Sequence, residues 1–223
     1  MYKYIRAAKS DVVESGKVGG GTVEYTLYSD GKLVIDGSGE ITSGLYYSMS
    51  HGDDVKSLVI ASPYVQVGDM VQFPNVESLQ MHSKGRKLVP SAFEYSSNLK
   101  TVVLPDRLLQ IPKCVFNMCE SLESIKLPNT ITKIGYLAFG HCKSLQSIDL
   151  PDDLKVIGES AFAYCSSLKN ITIPAQVTQI DDYAFKNCSS LESITFEGDV
   201  NQIEFGEDVF KGTPIESEMG NIQ

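Results

Sequence analysis

The chain has 223 residues, 42% of them apolar and 21% charged, and a formal net charge of -9, so one elongated soluble domain accounts for it. That acidic balance, with lysines scattered among acids, leaves no basic stripe for nucleic acid and disfavours anionic lipid. No run approaches the ~18 apolar residues of a membrane helix, and the charged start Met1–Ser10 lacks the apolar stretch of a secretory leader.

In chain order, residues 1–17 carry no repeat; Tyr4, Ile5, Ala7 and Ala8 suit a short helix or a loose segment. Gly19-Gly20-Gly21 leads into Val23–Tyr28, and Ser29-Asp30-Gly31-Lys32 leads into Leu33-Val34-Ile35. Asp-Gly between two alternating apolar runs predicts a β-hairpin, because both residues tolerate positive φ. Its second arm continues to Ile41. The first turn of any stacked fold has a naked apolar face, and residues 18–54 are expected to cap it.

From Val55 a pattern recurs. Val55, Leu58 and Ile60 match Val76, Leu79 and Met81, and from Leu99 onward the period is 23 residues, restarting at Leu122, Leu145, Leu168 and Leu191. The pattern is L-x-x-I-x-[LI]-P-x-x-[ILV]-x-x-I-[GD]-x-x-A-F-x-x-C, met almost letter for letter by 122–142, 145–165 and 168–188. A fixed period of roughly 20 to 50 residues marks a solenoid in which each repeat is one coil. Positions 4 and 6 alternate as a strand does, and proline at position 7 (Pro105, Pro128, Pro151, Pro174) stops that strand and turns the chain.

One coil cannot bury enough to fold alone, so the coils must stack and pair their strands in a parallel sheet. The end repeats are degraded, as capping requires. The first coil, from Val55, is two residues short, and the next has His82 for proline, Gly85 at an apolar position and Ser96 for cysteine. Coil 99–121 has Pro112 for glycine, and the last coil has one inserted residue and Thr213 in the cysteine column. The expected fold is an α/β repeat solenoid of about seven coils over residues 55–214, with a parallel β-sheet on one face, Phe93, Phe116, Phe139, Phe162 and Phe185 in one buried column, and a tail at 215–223.

This repeat resembles the BspA-like class of bacterial leucine-rich repeats, whose consensus is close to LxxIxLPxxLxxIGxxAFxxC. Gly31-Lys32-Leu33-Val34-Ile35-Asp36-Gly37-Ser38-Gly39-Glu40-Ile41 is similar to the G-T-L-T-I-S-G-T-G-x-[IM] segment that often precedes such repeats. The resemblance implies a right-handed leucine-rich solenoid of the kind found on surface-exposed or secreted bacterial proteins that adhere to host, matrix or other bacteria. It carries over no catalytic residue. The sequence as written reads as cytoplasmic, and the resemblance implies the cell surface or exterior if a leader has been removed.

Residues that might carry chemistry have plainer readings. Cys119, Cys142, Cys165 and Cys188 share position 21, and a row spaced at ~5 Å per coil cannot converge on one zinc ion nor turn its Cβ atoms together for disulfides. These cysteines are expected to be buried fillers, while Cys114, near position 16, is expected to be exposed and oxidisable. His51, His82 and His141 occupy unrelated repeat positions, so no nucleophile–base pair is indicated. Gly19-Gly20-Gly21 and Gly37-x-Gly39 lack the rest of any phosphate or dinucleotide motif. The pairs Asp152-Asp153 and Asp181-Asp182 are solvated corners rather than a calcium loop, which needs alternating acids over about twelve residues.

No enzyme, cofactor or metal is expected. Two outward columns remain. Position 3 reads Ser57, Ser78, Thr101, Ser124, Ser147, Asn170, Ser193, and position 5 reads Val59, Gln80, Val103, Lys126, Asp149, Thr172, Thr195. The plainer reading is that small hydroxyl and mixed residues simply suit an exposed parallel sheet; with no aromatic in either column, a tight protein interface there is disfavoured, whereas an array of small hydroxyls suits weak multivalent contact with a repetitive polymer. The expected function is a non-enzymatic, monomeric adhesion or recognition module for a protein or glycan. The alternative is an intracellular scaffold for protein interaction.

Overall fold

The computed structural model describes residues 10–18, 22–41, 44–68, 73–82, 84 and 88–220. The expected helix around Tyr4–Ala8, the Gly19–Gly21 turn and Gly85 lie outside them.

The molecule is a solenoid of about seven coils with little helix. The hairpin is present as β2 (Val23–Tyr28) and β3 (Lys32–Gly37), but residues 12–17, part of the segment expected to be a short helix or loose, join Val18 in a third antiparallel strand, β1 (Val12–Val18). Its register carries Gly16 opposite Tyr25, where a Cβ on Gly16 would meet the tyrosine ring at 2.8 Å. The cap is continuous with the coils. β3 pairs in parallel with β5 (Ser57–Ile60), Leu33 beside Leu58 and Ile35 beside Ile60, and β4 (Gly39–Ile41) pairs with β6 (Val65–Val67). The helical turn α1 (Gly44–Ser48) buries Leu45, and Tyr46 packs edge-on against buried Phe73 at 5.7 Å. The chain then runs through β7 (Ser78–Met81) and β8 (Thr101–Val103), which extend the sheet to the order β1-β2-β3-β5-β7-β8.

Each regular coil has three sides. On the second side, β9 (Gln110–Ile111), β10 (Lys133–Ile134), β11 (Val156–Ile157), β13 (Gln179–Ile180) and β15 (Glu204–Phe205) stack in parallel, placing Ile111, Ile134, Ile157, Ile180 and Phe205 in one row. Between them in sequence, β12 (Asn170–Ile173) and β14 (Ser193–Phe196) belong to the first side.

The third side is built from turns. There the N–H groups at positions 16, 18 and 20 donate to the next coil: Cys114 to Tyr136 at 2.8 Å, Phe116 to Ala138 at 3.0 Å, Met118 to Gly140 at 2.8 Å. Positions 16 and 20 adopt the left-handed conformation, as Cys114 (φ 56) and Met118 (φ 62) do, which turns alternate amides along the stack. The phenylalanines form the expected column, with centroid steps of 6.0 Å from Phe93 to Phe116 and 5.4 Å from Phe139 to Phe162 and on to Phe185. Phe210 continues it. At the far end α2 (Glu216–Met219) lays Met219 over the last coil beside buried Ile215.

Candidate functional site

Strand pairing puts the two outward columns in register where it holds. Ser57 lies beside Ser78 and then Thr101, Val59 beside Gln80 and then Val103; at the other end Asn170 lies beside Ser193 and Thr172 beside Thr195. Ser57, Val59 and Ser78 are half-buried, and the remaining column residues are exposed.

Between those two ends the ladder stops. Residues 124–127 and 147–150 make no backbone hydrogen bond to each other, to β8 or to β12; the nearest surviving links are Gln146 N–H to the Glu123 carbonyl at 3.2 Å and Lys169 N–H to the Gln146 carbonyl at 3.5 Å. The single sheet expected from the repeat is therefore two sheets with two open coils between them. The two kinds of coil differ at position 5. The laddered coils carry Val59, Gln80, Val103, Thr172 and Thr195 there, whereas the open coils carry Lys126 and Asp149, residue types depleted in strands. The other two sides stay bonded through the same coils, so the ladder is interrupted on this side alone.

Two adjoining clefts lie along the interruption. The larger, about 590 Å³, lies between 124–127 and 147–150, rimmed by Ser124, Lys126, Asn129, Ser147, Asp149 and Asp152 over Ile125, Leu127, Ile148 and Leu150. The second, about 280 Å³, lies between Ser147–Asp152 and Asn170–Pro174 and reaches Glu197. Lys126 and Asp149, adjacent in the stack, form no ion pair with each other.

The cysteine row is buried and all five thiols are free. Each thiol in the row donates to the phenylalanine carbonyl of the coil before: Cys119 to Phe93 at 3.3 Å, Cys142 to Phe116 and Cys165 to Phe139 at 3.2 Å, Cys188 to Phe162 at 3.1 Å. Burial pushes the Cys188 thiol up to about 12, and Cys142 and Cys165 well above the ordinary value. These are neutral, unreactive groups. Cys114, expected to be exposed, is half-buried, and burial raises its pKa.

Two arrangements escape sequence reasoning. Glu14 on β1 accepts from the backbone amides of Ser50 (3.1 Å) and His51 (3.0 Å) and from the Tyr25 hydroxyl (3.1 Å), with the His51 Nδ1 also at 3.1 Å. Burial pushes its carboxyl up, but those hydrogen bonds outweigh it and leave the pKa below the ordinary value. The pair ties β1 to the loop after α1, across a separation of 37 residues, and no nucleophile is bonded to it. The second is a column at position 20, Tyr95, Met118, His141 and Tyr164, each left-handed (φ 60 to 65). His141 stacks on Tyr164 at 4.5 Å; burial, then Lys143, lowers its pKa. Among the described residues no three His, Cys, Asp or Glu side chains are grouped to hold a metal, and no helix is long and apolar enough to cross a membrane.

A stack of 23-residue coils with a phenylalanine column, a cysteine row and an outward strand face defines a leucine-rich-repeat solenoid. The chain belongs to the BspA type Leucine rich repeat family, whose model matches residues 86–216 in 6 copies. No curated protein matches. Among solved structures the fold is similar to a leucine-rich repeat protein from Bacteroides ovatus (20% identity, TM-score 0.53, 95% of this chain and 57% of that one). It is also similar to a leucine rich cell surface protein from Faecalibacterium prausnitzii (22% identity, TM-score 0.52, 87% and 57%). The chain thus spans 57% of each of those proteins.

Proposed function

We propose that this chain is a non-enzymatic recognition module that adheres weakly and repeatedly to a polymer through its strand face. The observation that carries this reading is the open pair of coils, where the backbone of 124–127 and 147–150 is left out of the ladder beside clefts rimmed by Ser124, Lys126, Ser147 and Asp149. Small hydroxyls and unpaired charges at coil spacing suit low affinity per contact and many contacts per chain. The similarity to a protein described as a cell surface protein supports an extracellular setting. A binding screen against glycans and matrix proteins tests it, run with the native chain and with Ser124, Lys126 and Ser147 each changed to Glu. Binding that is lost in those variants supports the strand face; binding that survives them unaltered removes it.

A second reading, a scaffold for a protein partner, is favoured by the position-20 column. Gly212 fills the equivalent position in the last coil and Asn187 in the one before, the residue types that tolerate positive φ. Four coils carry Tyr, Met, His and Tyr there instead, with Tyr95 55% and Tyr164 41% exposed, and protein interfaces are enriched in Tyr and Met. Changing Tyr95 and Tyr164 to Asn keeps the backbone preference while deleting the rings. If that pair abolishes binding to a captured protein and leaves polymer binding intact, the two surfaces serve different partners.

A further inference from the structure

The clefts on the strand face narrow the ligand, given the recognition reading above. We propose that they form two consecutive subsites for neutral sugar residues of a glycan chain lying along the solenoid axis, held chiefly by the main chain of 124–127 and 147–150. Those segments present N–H and C=O groups that no neighbouring coil satisfies, and unpaired main-chain groups recruit hydrogen-bond partners. The partner must supply donors and acceptors side by side. A sugar hydroxyl is both, and each ring carries several.

The larger cleft, about 590 Å³, falls within the ~300–1,000 Å³ of small-ligand sites, and the second, about 280 Å³, lies just below that range. The second cleft shares Ser147, Asp149 and Asp152 with the first, so two adjacent residues of one chain would meet a common wall. Charge then selects the class of sugar. Asp149, Asp152 and Glu197 outnumber Lys126 around the clefts, which disfavours uronic, sialic or sulfated residues.

The opening depends on Lys126 and Asp149, so K126T/D149T should close the ladder while leaving Ser124, Ser147 and the rest of the hydroxyl columns in place. The experiment titrates the nitrogen-15-labelled native chain and this variant with chitotetraose, cellotetraose, laminaritetraose and maltotetraose in the millimolar range, following amide shifts. The expected result is that at least one tetrasaccharide moves the amides of 124–127 and 147–150 but not those of 57–60, and that the variant loses at least about tenfold in affinity. Shifts spread equally over 57–60 and 193–196, or undiminished binding to a variant whose amides have become protected from exchange, would overturn the subsites while leaving the strand-face reading standing. Silence of the cleft amides toward all four sugars would overturn the subsites too. Shifts of those amides by an extended peptide, with none by sugars, would assign the clefts to a different ligand.

Discussion

Phe162 shows how one side chain is held by repetition. It is fully buried, parallel to Phe139 and Phe185 at 5.4 Å on either side, and its carbonyl accepts the Cys188 thiol at 3.1 Å. Phe162→Ala removes a ring whose neighbours are fixed by two bonded sides and cannot collapse inward. A loss of about 3–5 kcal/mol is expected by chemical denaturation; a near-native midpoint would refute the column. The cysteines make the opposite prediction. Their thiols are reduced and hydrogen-bonded, so adding reductant should leave the melting temperature unchanged, and a large drop would mean that disulfides contribute. Burial of the cysteines was legible from their period alone. Their role as donors was not, because it depends on the phenylalanine carbonyl of the preceding coil. Nor were the left-handed positions 16 and 20 legible, since Tyr, Met, His and Leu stand where glycine or asparagine would have announced them.

At the scale of elements, the hairpin was readable from Asp30-Gly31, but β1 was not, because its own sequence, Val12–Val18, mixes Gly and charge. What holds β1 is partly Glu14. A carboxyl whose folded pKa lies below its unfolded value, about 4.3, stabilises fully above that value and loses its contribution as pH falls through the folded one. Docking of β1 should therefore weaken on acidification below about pH 4, read as faster amide exchange in Val12–Val18, and Glu14→Gln should bring that loosening to neutral pH. Unchanged protection in the variant would show that the backbone ladder alone suffices. Lys126 and Asp149 at position 5 mark the interrupted coils, yet periodicity weighs only the apolar positions, so the sequence reads as one continuous parallel sheet.

The whole molecule is a three-sided stack in which, from Gln110 to Phe205, the second side is a continuous ladder and the turn side stays bonded, while the strand face is open at its middle. The stack itself was legible because a 23-residue period leaves a chain no other way to bury its core. The open side was not legible, since it arises from a balance between coil spacing set elsewhere and local strand preference. Proposed recognition rests on that opening, and amide hydrogen exchange measures it without a ligand. The account predicts that amides of 124–127 and 147–150 exchange rapidly while those of Ile134 and Ile157, in the same coils on the bonded side, and of 57–60, in the closed sheet, are strongly protected. Equal protection of all these amides would mean a continuous sheet, with no cleft and no open coils to bind anything.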